Sequence, residues 1–219
     1  MLADLADLYA YFGESLTEHR TTPRDDLITL LIDAEVDGSH LSDDEILVFL
    51  MKLLVAGNET TRNLISGSAL ALALHPGQNA LLASDPDVLP VAVEEMLRWV
   101  SPVRSFIRRA LINTSLAEIP IRAGDYVVMF YGSANRDQAV FGETAERFDV
   151  TRADANRHLA FGIGEHFCLG AALARMETRI LFEEIYRRWP SWELNGDVQP
   201  LKSCLINGIE RLPLRRTTR

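Results

Sequence analysis

A glycine-rich segment, FGIGEHFCLG at residues 161–170, carries a single cysteine immediately before a predicted helix. We expect that helix to run from Leu169 to Arg188, with its unpaired amide groups and the positive end of its dipole facing the sulfur of Cys168. Both features favour a thiolate, which is the nucleophilic and metal-binding form of cysteine. The glycines carry no side chains, so a large flat group could lie close to the sulfur.

The surroundings of this cysteine indicate which group its sulfur could bind. A zinc site would need further Cys or His ligands close by. A thiolate-bound heme needs one axial cysteine in an apolar wall, and residues 161–170 offer that combination. A cysteine nucleophile activated by His166 is the competing interpretation, but it leaves the two motifs described next unexplained. The second cysteine, Cys204, is expected to be a packed structural thiol.

A polar interruption, AGNETT at residues 56–61, lies within a long apolar helix that is predicted to begin near Ser42 and to end before His75. In one interpretation the threonine hydroxyls bond to carbonyls one turn earlier and the glutamate faces solvent. In the other, Gly57 loosens the helix while Thr60 and Glu59 supply a hydroxyl and a carboxylate for proton transfer. The segment alone does not decide between them.

A charged pair, Glu95 and Arg98, lies three residues apart on a predicted helix over residues 89–100. An exposed pair at this spacing contributes only about 0.2–0.5 kcal/mol. Apolar neighbours on both sides indicate that this pair is instead carried toward the interior.

These segments together resemble the cytochrome P450 family. The cysteine segment resembles that family's heme-binding loop, Phe-x-x-Gly-x-x-x-Cys-x-Gly, with His166 two residues before Cys168. AGNETT is similar to the family's oxygen-activation motif, and Glu95 with Arg98 resembles its structural Glu-x-x-Arg pair. The motifs follow one another in the family's order across almost the whole chain.

The resemblance implies a role for each residue that matches a motif. Cys168 would ligate the iron of heme b, while Thr60 and Glu59 would be the catalytic residues that govern proton delivery. The remaining cofactor-binding candidates are Ala56, Gly57, Phe161, Gly162, Gly170, His166 and Arg108, the last two for the heme propionates, with Arg109 as the alternative to Arg108. Arg147 would join Glu95 and Arg98 in a buried structural network behind the cysteine loop.

The resemblance also implies an activity and its partners. The family inserts one atom of dioxygen into an apolar organic substrate, with electrons from a ferredoxin or flavoprotein. Residues 103–106 and 205–207 would line the substrate pocket. Four arginines, Arg152, Arg157, Arg175 and Arg179, are either a docking face for an acidic partner or ordinary solvated surface.

The length of the chain leads to a second hypothesis about its function. Members of the family are about twice as long, so the chain would correspond to the C-terminal half of the fold, with the N-terminal half absent. The alternative function is therefore a catalytically silent fragment or a heme-binding pseudoenzyme remnant. We expect the chain alone to bind heme weakly or not at all, because much apolar surface would be exposed.

Composition limits the possible classes of protein. With 22 Lys and Arg against 31 Asp and Glu, the net charge of −9 argues against nucleic-acid binding, which usually needs a basic face. Two cysteines are too few for a disulfide framework, and the first residues lack a signal-peptide pattern, so a cytoplasmic location is expected. The apolar stretch at residues 46–56 contains Lys52 and is too short to span a membrane.

The predicted fold is mainly α with small β-sheets, formed as one continuous domain over residues 1–219. The β-prone region contains two runs, residues 119–121 and 126–130, separated by a turn signal at 122–125. We expect these runs to form a hairpin. A last small hairpin is expected between residues 206–209 and 212–214.

Overall fold

Helices dominate the chain, and the strands form only two-stranded sheets, so the prediction of a mainly α fold with small β-sheets is confirmed. The computed structural model describes residues 2–217, with side chains from residue 4 onward. The chain divides into two compact units between Glu59 and Thr60. One domain over residues 1–219 stays a prediction, and its two ends lie outside the described residues.

The first unit consists of helices around a small apolar core. Its elements are α1 (Leu2–Thr21), α2 (Leu27–Asp33), the strands β1 (Glu35–Val36) and β2 (Ser39–His40), and the first part of α3 (Asp43–Leu74). The buried core residues are Leu16, Leu31, Ile46 and Leu50. They come from three helices, because none of these helices can bury an apolar stripe alone.

Helix α3 begins with the reciprocal side-chain contacts of a capping box, which the pattern Ser-x-x-Glu at residues 42–45 predicts. The amide of Glu45 donates to Oγ of Ser42 over 3.4 Å, and the amide of Ser42 donates to Oε2 of Glu45 over 2.8 Å. The carboxylate therefore satisfies a free amide at the positive end of the helix. The hydrogen bonds that this carboxylate accepts from the amide and the hydroxyl of Ser42 hold the pKa of Glu45 below its usual range.

The second unit contains the remainder of α3 and the helices α4 (Pro76–Ser84), α5 (Leu89–Val100), α6 (Tyr131–Ala134), α7 (Gln138–Phe141) and α8 (Ala171–Arg188). Helix α5 buries Leu89, Val93, Met96 and Val100 at spacings of three and four residues, as one apolar helix face requires. Within the described part of the chain, no helix is both long and apolar enough to cross a membrane.

The strands of the second unit form four separate antiparallel pairs. They are β3 (Ser105–Arg109) with β6 (Tyr126–Phe130), β4 (Thr114–Leu116) with β5 (Ile119–Ile121), β7 (Trp192–Leu194) with β10 (Leu214–Arg216), and β8 (Gln199–Pro200) with β9 (Ile209–Arg211). The indole nitrogen of Trp192 donates to the carbonyl of Ala69 over 3.0 Å, which fixes β7 against α3.

The predicted hairpin between residues 119–121 and 126–130 is wrong. Strand β5 pairs with β4 across a two-residue turn at Ala117 and Glu118, whose φ values are 46° and 67°. Positive φ at both central positions matches a type I′ turn, for which Asn and Gly are the usual signal. Neither residue occurs there, and the glycine turn at 122–125 instead leads into β6, which pairs with β3.

The predicted last hairpin between residues 206–209 and 212–214 is wrong as well. Strand β9 pairs with β8, and β10 pairs with β7. The two strands nearest the chain end therefore return to different earlier strands. Such long-range pairing leaves no trace in the local turn residues from which a hairpin is predicted.

Candidate functional site

The cysteine loop is shaped by its own backbone. The amide of Cys168 donates to the carbonyl of Phe161 over 2.9 Å, and the amide of Phe167 donates to the carbonyl of Gly164 over 3.0 Å. Gly162 and Gly164 have φ of +73° and +75°, a conformation that strains any residue with a Cβ. The glycines are therefore needed for the path of the chain as well as for the space they leave.

Helix α8 begins at Ala171 with Gly170 as its N-cap, two residues later than predicted. The carbonyl of Cys168 accepts a hydrogen bond from the amide of Ala171 over 3.2 Å. The cysteine thus lies at the entry to the helix, where unpaired amides and the helix dipole favour an anion. A Cβ on Gly170 would lie 4.0 Å from Sγ of Cys168, so this glycine keeps the immediate surroundings of the sulfur open.

The surface around Cys168 is apolar and uncovered. Cys168 itself is exposed, and its neighbours Ile163, Phe167 and Leu169 are 79%, 51% and 76% exposed. Three large apolar side chains beside one exposed sulfur are the surroundings that a heme would bury. The residues present therefore fit a thiolate-bound heme.

Other metals fit this loop poorly. Within residues 2–217, no group of three or more His, Cys, Asp or Glu side chains could hold a metal ion, whereas structural zinc needs four such ligands. The second cysteine, Cys204, is exposed, so its prediction as a packed thiol is wrong. It lies in an irregular segment between β8 and β9.

The polar segment AGNETT lies inside helix α3, which is α-helical at every residue from Asp43 to Leu74. The predicted loosening at Gly57 is therefore not visible as a break in the helix. Ala56 and Gly57 are exposed, whereas Glu59 and Thr60 are half-buried. The helix supplies the side chains at regular spacing, and their roles stay predictions.

Glu95 and Arg98 form a fully buried ion pair on helix α5. The Arg98 guanidinium donates from Nε to Oε2 of Glu95 over 2.6 Å and from Nη2 to Oε1 over 2.8 Å. Neither side chain has exposed area. The remaining donors of Arg98 bond to the carbonyls of Asn135, Ala145 and Arg147, at 2.7, 2.8 and 2.9 Å. Every hydrogen-bonding group on the buried guanidinium is thereby used, as burial of a charge demands.

The third charged member of this network is Arg152, and the prediction of Arg147 is corrected. Nε of Arg152 lies 3.2 Å from Oε2 of Glu95, and the residue is 7% exposed. Arg147 has an exposed side chain and contributes only its carbonyl oxygen. Both arginines stand in polar sequence, so no local pattern distinguishes them. The burial of Arg152 also removes it from the predicted docking face.

A second ionic cluster begins at the neighbouring residue, Glu94. Its carboxylate binds Arg175 of α8 through two hydrogen bonds, Nε to Oε1 at 2.6 Å and Nη2 to Oε2 at 2.9 Å. Nε2 of His158 lies 3.2 Å from Oε2. Burial of this carboxyl raises its pKa, but His158 and Arg175 outweigh that effect and hold the pKa of Glu94 at about 2. Sequence analysis did not single out Glu94 or His158, and Arg175 is paired rather than free for docking.

The candidate propionate donors lie at separate places on the chain. Arg108 and Arg109 are adjacent on β3, where they pair with Val127 and Tyr126, and both are exposed. Successive strand residues point to opposite faces, so only one of the two arginines can face a given ligand. His166 is exposed in a 3₁₀ turn at Gly164–His166. Which arginine faces a heme stays a prediction.

The two candidate pocket-lining segments lie side by side. Val103 and Ile206 form an antiparallel bridge, and the amide of Arg104 donates to the carbonyl of Leu205 over 2.7 Å. The structure therefore brings together residues about a hundred positions apart in sequence. The sequence alone gave no reason to expect this pairing.

The chain resembles known proteins over most of its length. The family model described as Cytochrome P450 matches residues 84–211. Cytochrome P450-terp of Pseudomonas sp is 38% identical over 97% of this chain and 49% of the relative. A steroid C26-monooxygenase of Mycobacterium tuberculosis (strain ATCC 25618 / H37Rv) is 42% identical over 95% of this chain and 54% of the relative.

Solved structures show the same likeness in three dimensions. CYP109E1 of Bacillus megaterium in complex with testosterone superimposes with a TM-score of 0.92 at 39% identity, over 97% of this chain and 59% of that one. The chain thus spans about half the length of the curated relatives it matches.

Proposed function

The chain belongs to the cytochrome P450 family, and we propose that it is the C-terminal, heme-thiolate half of a monooxygenase. The proposed reaction inserts one atom of dioxygen into an apolar organic substrate. The observation that carries the proposal is the exposed Cys168 at the entry to α8, set among uncovered apolar side chains. A lone thiolate on such a face suits a heme far better than a zinc ion.

The proposed cofactor is heme b, and the chain's own residues would bind it. Cys168 would be the axial ligand, with Phe161, Gly162 and Gly170 forming the surface beside the sulfur. Arg108 and His166 would donate charge-assisted hydrogen bonds to the two propionates, because buried carboxylates need such donors. When bound, the heme would supply the iron centre at which dioxygen is reduced, with electron density donated by the thiolate.

The proposed proton path runs along helix α3. The hydroxyl of Thr60 would donate a proton from Oγ1 and take a replacement from the protonated carboxyl group of Glu59, which solvent would then reprotonate, since a hydroxyl can both donate and accept. Ala56 and Gly57 have little or no side chain, so the helix could approach a flat ring there. The half-buried state of Glu59 and Thr60 supports this assignment.

The proposed substrate is a small apolar molecule. One solved relative, CYP109E1, forms complexes with testosterone and with corticosterone, and another, P450BioI, with an acyl carrier protein that carries hexadec-9Z-enoic acid, so a steroid is the first candidate to test. Residues 103–106 and 205–207, which the structure pairs, are the proposed lining. A ferredoxin or flavoprotein is the proposed electron donor. Arg157 and Arg179 remain exposed as candidate contacts for an acidic partner.

A second candidate function is a catalytically silent fragment or heme-binding pseudoenzyme remnant. The observation that favours it is that the chain spans only about half the length of its relatives. Apolar side chains around Cys168 that are exposed here would need a covering partner for tight heme binding.

An exchange of halves tests the monooxygenase proposal. The chain would replace the matching half of the Mycobacterium tuberculosis steroid C26-monooxygenase, and the hybrid would be assayed for steroid oxidation and for a thiolate-type Soret band of its ferrous carbon monoxide complex. We expect both signals, and we expect Cys168→Ala to abolish them. Cys204→Ala is the matched control, because it removes the other exposed cysteine. Undiminished oxidation by Cys168→Ala would refute the proposal.

A further inference from the structure

A cluster of three polar side chains, Glu94, His158 and Arg175, lies behind the cysteine loop and belongs to none of the motifs discussed above. We propose that this cluster positions the loop, so that the Cys168 sulfur is presented at a fixed place with a guanidinium on its helix side. The three residues act through Phe161 and through charge, and we call them the Glu94 clamp. The heme-dependent part of this proposal rests on the proposed function, while the positioning part does not.

The first contact joins two helices. The carboxylate of Glu94 on α5 receives two parallel hydrogen bonds from Arg175 on α8. A bidentate pair fixes the plane of the guanidinium as well as its position, which a lysine could not do. The side chains are only 17% and 35% exposed, so solvent screens this pair less than it would screen a surface pair.

The second contact reaches the loop through an aromatic ring. Cζ of Arg175 lies 4.7 Å from the centroid of the Phe161 ring, a cation–π distance. Phe161 also accepts the backbone hydrogen bond from Cys168. The guanidinium is therefore connected to the cysteine amide through a single residue, and a shift of Arg175 would release the ring that anchors the loop.

The third contact holds the same ring from the other end of the loop. Nδ1 of His158 accepts a hydrogen bond from the amide of Ala160 over 3.1 Å, which places the imidazole proton on Nε2, facing Glu94. The His158 ring lies 5.6 Å from the ring of Phe161. Nε2 has no well-aligned acceptor, so its approach to Glu94 is an electrostatic contact. His158 and Arg175 thus share one carboxylate and both border Phe161.

Charge adds to this geometry. Hydrogen bonds from Arg175 to Glu94 raise the pKa of the guanidinium most, and the nearby negative charge of Cys168 raises it further. The guanidinium therefore stays protonated, and its positive charge lies near the sulfur of Cys168.

Amide hydrogen exchange in the heme-free chain tests the positioning role. The variant Arg175→Met keeps the length of the side chain but removes its charge, while Arg187→Met removes a comparable bidentate pair, Arg187 with Glu184, at the far end of α8. We expect Arg175→Met to accelerate exchange of the Cys168 amide about tenfold or more relative to amides of α5, because a charge-assisted pair is lost. Arg187→Met should leave that ratio unchanged. Equal acceleration throughout the second unit, or none, would overturn the proposal.

The spectrum of the hemin-loaded chain tests the charge. With hemin in excess, we expect the thiolate-type fraction of the ferrous carbon monoxide complex to fall in the order wild type, Arg175→Lys, Arg175→Met, with partial rescue by lysine. A thiolate-type fraction unchanged in Arg175→Met but lost in Cys168→Ala would refute the charge role while leaving the proposed function intact. If the wild-type chain forms no heme complex, the same three variants are compared in the hybrid with the steroid C26-monooxygenase. Absence of a thiolate-type band from the wild-type hybrid would count against the proposed function, while hydrogen exchange in the heme-free chain still decides the positioning role.

Discussion

Oε2 of Glu95 lies 2.6 Å from Nε of Arg98, and neither side chain has any exposed area. The pair occupies one turn of α5, yet its hydrogen-bond partners outside that helix come from 37 to 54 residues further along the chain. An ion pair at this depth gains little net stability over apolar packing, because both charges lose their hydration. Its structural value is that it organises backbone from the irregular segments on both sides of α7.

Loss of the Glu95 charge should be severely destabilising. Glu95→Gln would leave Arg98 buried without a counter-charge and would leave Arg152 only the more distant carboxylate of Asp154, at 3.8 Å, so we expect the free energy of unfolding to fall by about 3–5 kcal/mol. Denaturant titration of purified protein measures this change. The control, Glu184→Gln, breaks exposed pairs on α8 and should change the free energy of unfolding far less than Glu95→Gln does. Similar losses in the two variants would contradict the network.

Arg147 and Arg152 should differ sharply in their contribution to stability. Arg152→Ala removes a buried cation that bonds to Thr144 and faces Glu95. We therefore expect the free energy of unfolding to fall by about 3 kcal/mol or more. Arg147→Ala keeps the carbonyl that Arg98 uses and should change stability by less than about 0.5 kcal/mol. Thermal unfolding of both variants decides which arginine completes the network. The reverse order would restore the sequence-based assignment of Arg147.

Gly67 should be intolerant of a methyl group. A Cβ at this position would lie 2.7 Å from Cγ1 of Val100, where α3 and α5 pack together. Gly67→Ala should therefore destabilise by about 1–3 kcal/mol, despite the better helix propensity of alanine. In Gly77→Ala nothing lies within 4 Å of the new methyl, so α4 should gain roughly 0.5–1 kcal/mol. Denaturant midpoints that shift in the same direction for both variants would disprove the close helix contact.

Stability of the first unit should depend on pH through His19. Its ring contacts the carbonyl of Ser15 at 2.6 Å and the carboxylate of Asp26 at 2.7 Å, and both raise the pKa of His19 above 6.5. The stabilisation is therefore complete below the unfolded pKa, about 6.5, and is lost as pH rises through the higher folded pKa. Hydrogen bonds from Thr29 and His19 lower the pKa of Asp26, so its share is lost as pH falls below about 4.

A variant isolates this effect. The difference in unfolding free energy between wild type and His19→Gln should be largest near pH 5 to 6 and should shrink toward pH 9, by the sign worked out above. His40→Gln serves as the control, since His40 is exposed and lies 3.5 Å from Glu35. A difference that grows with rising pH would be incompatible with a protonated His19 in the folded state.

The chain alone should bind hemin weakly. Ile163, Phe167 and Leu169 are largely exposed beside Cys168, so one side of a bound ring would remain open to water. Titration with hemin, followed by reduction under carbon monoxide, measures both affinity and ligation. A tight complex with a persistent thiolate-type Soret band would show that no covering half is needed.

Features set by local sequence were predictable. The capping contacts of Ser42, the limits of α3 and α5, and the cysteine loop all follow from periodicity, proline positions and glycine spacing. Each depends on residues within a few positions of one another. The resemblance to a known family added the order of the motifs, and the comparisons confirm the family itself.

Features set by tertiary contact were not predictable. The turn at Ala117 and Glu118 carries none of the residues that announce positive φ, so strand pairing was assigned to the wrong glycine turn. Arg152 and Arg147 look alike in sequence, and only burial separates them. The Glu94 clamp was missed for the same reason, because His158 and Arg175 lie 64 and 81 residues from Glu94 in sequence.

The use of backbone carbonyls by Arg98 has a consequence for the order of folding. The segment from Asn135 to Arg147 contains short helical turns and little else. Carbonyl groups at both of its ends accept hydrogen bonds from the side chain of Arg98, which is synthesised earlier than the segment. We therefore expect α5 to form before this irregular segment adopts its native conformation. The guanidinium of Arg98 then donates hydrogen bonds to the carbonyls of an irregular segment, as the amides of a neighbouring strand do in a sheet.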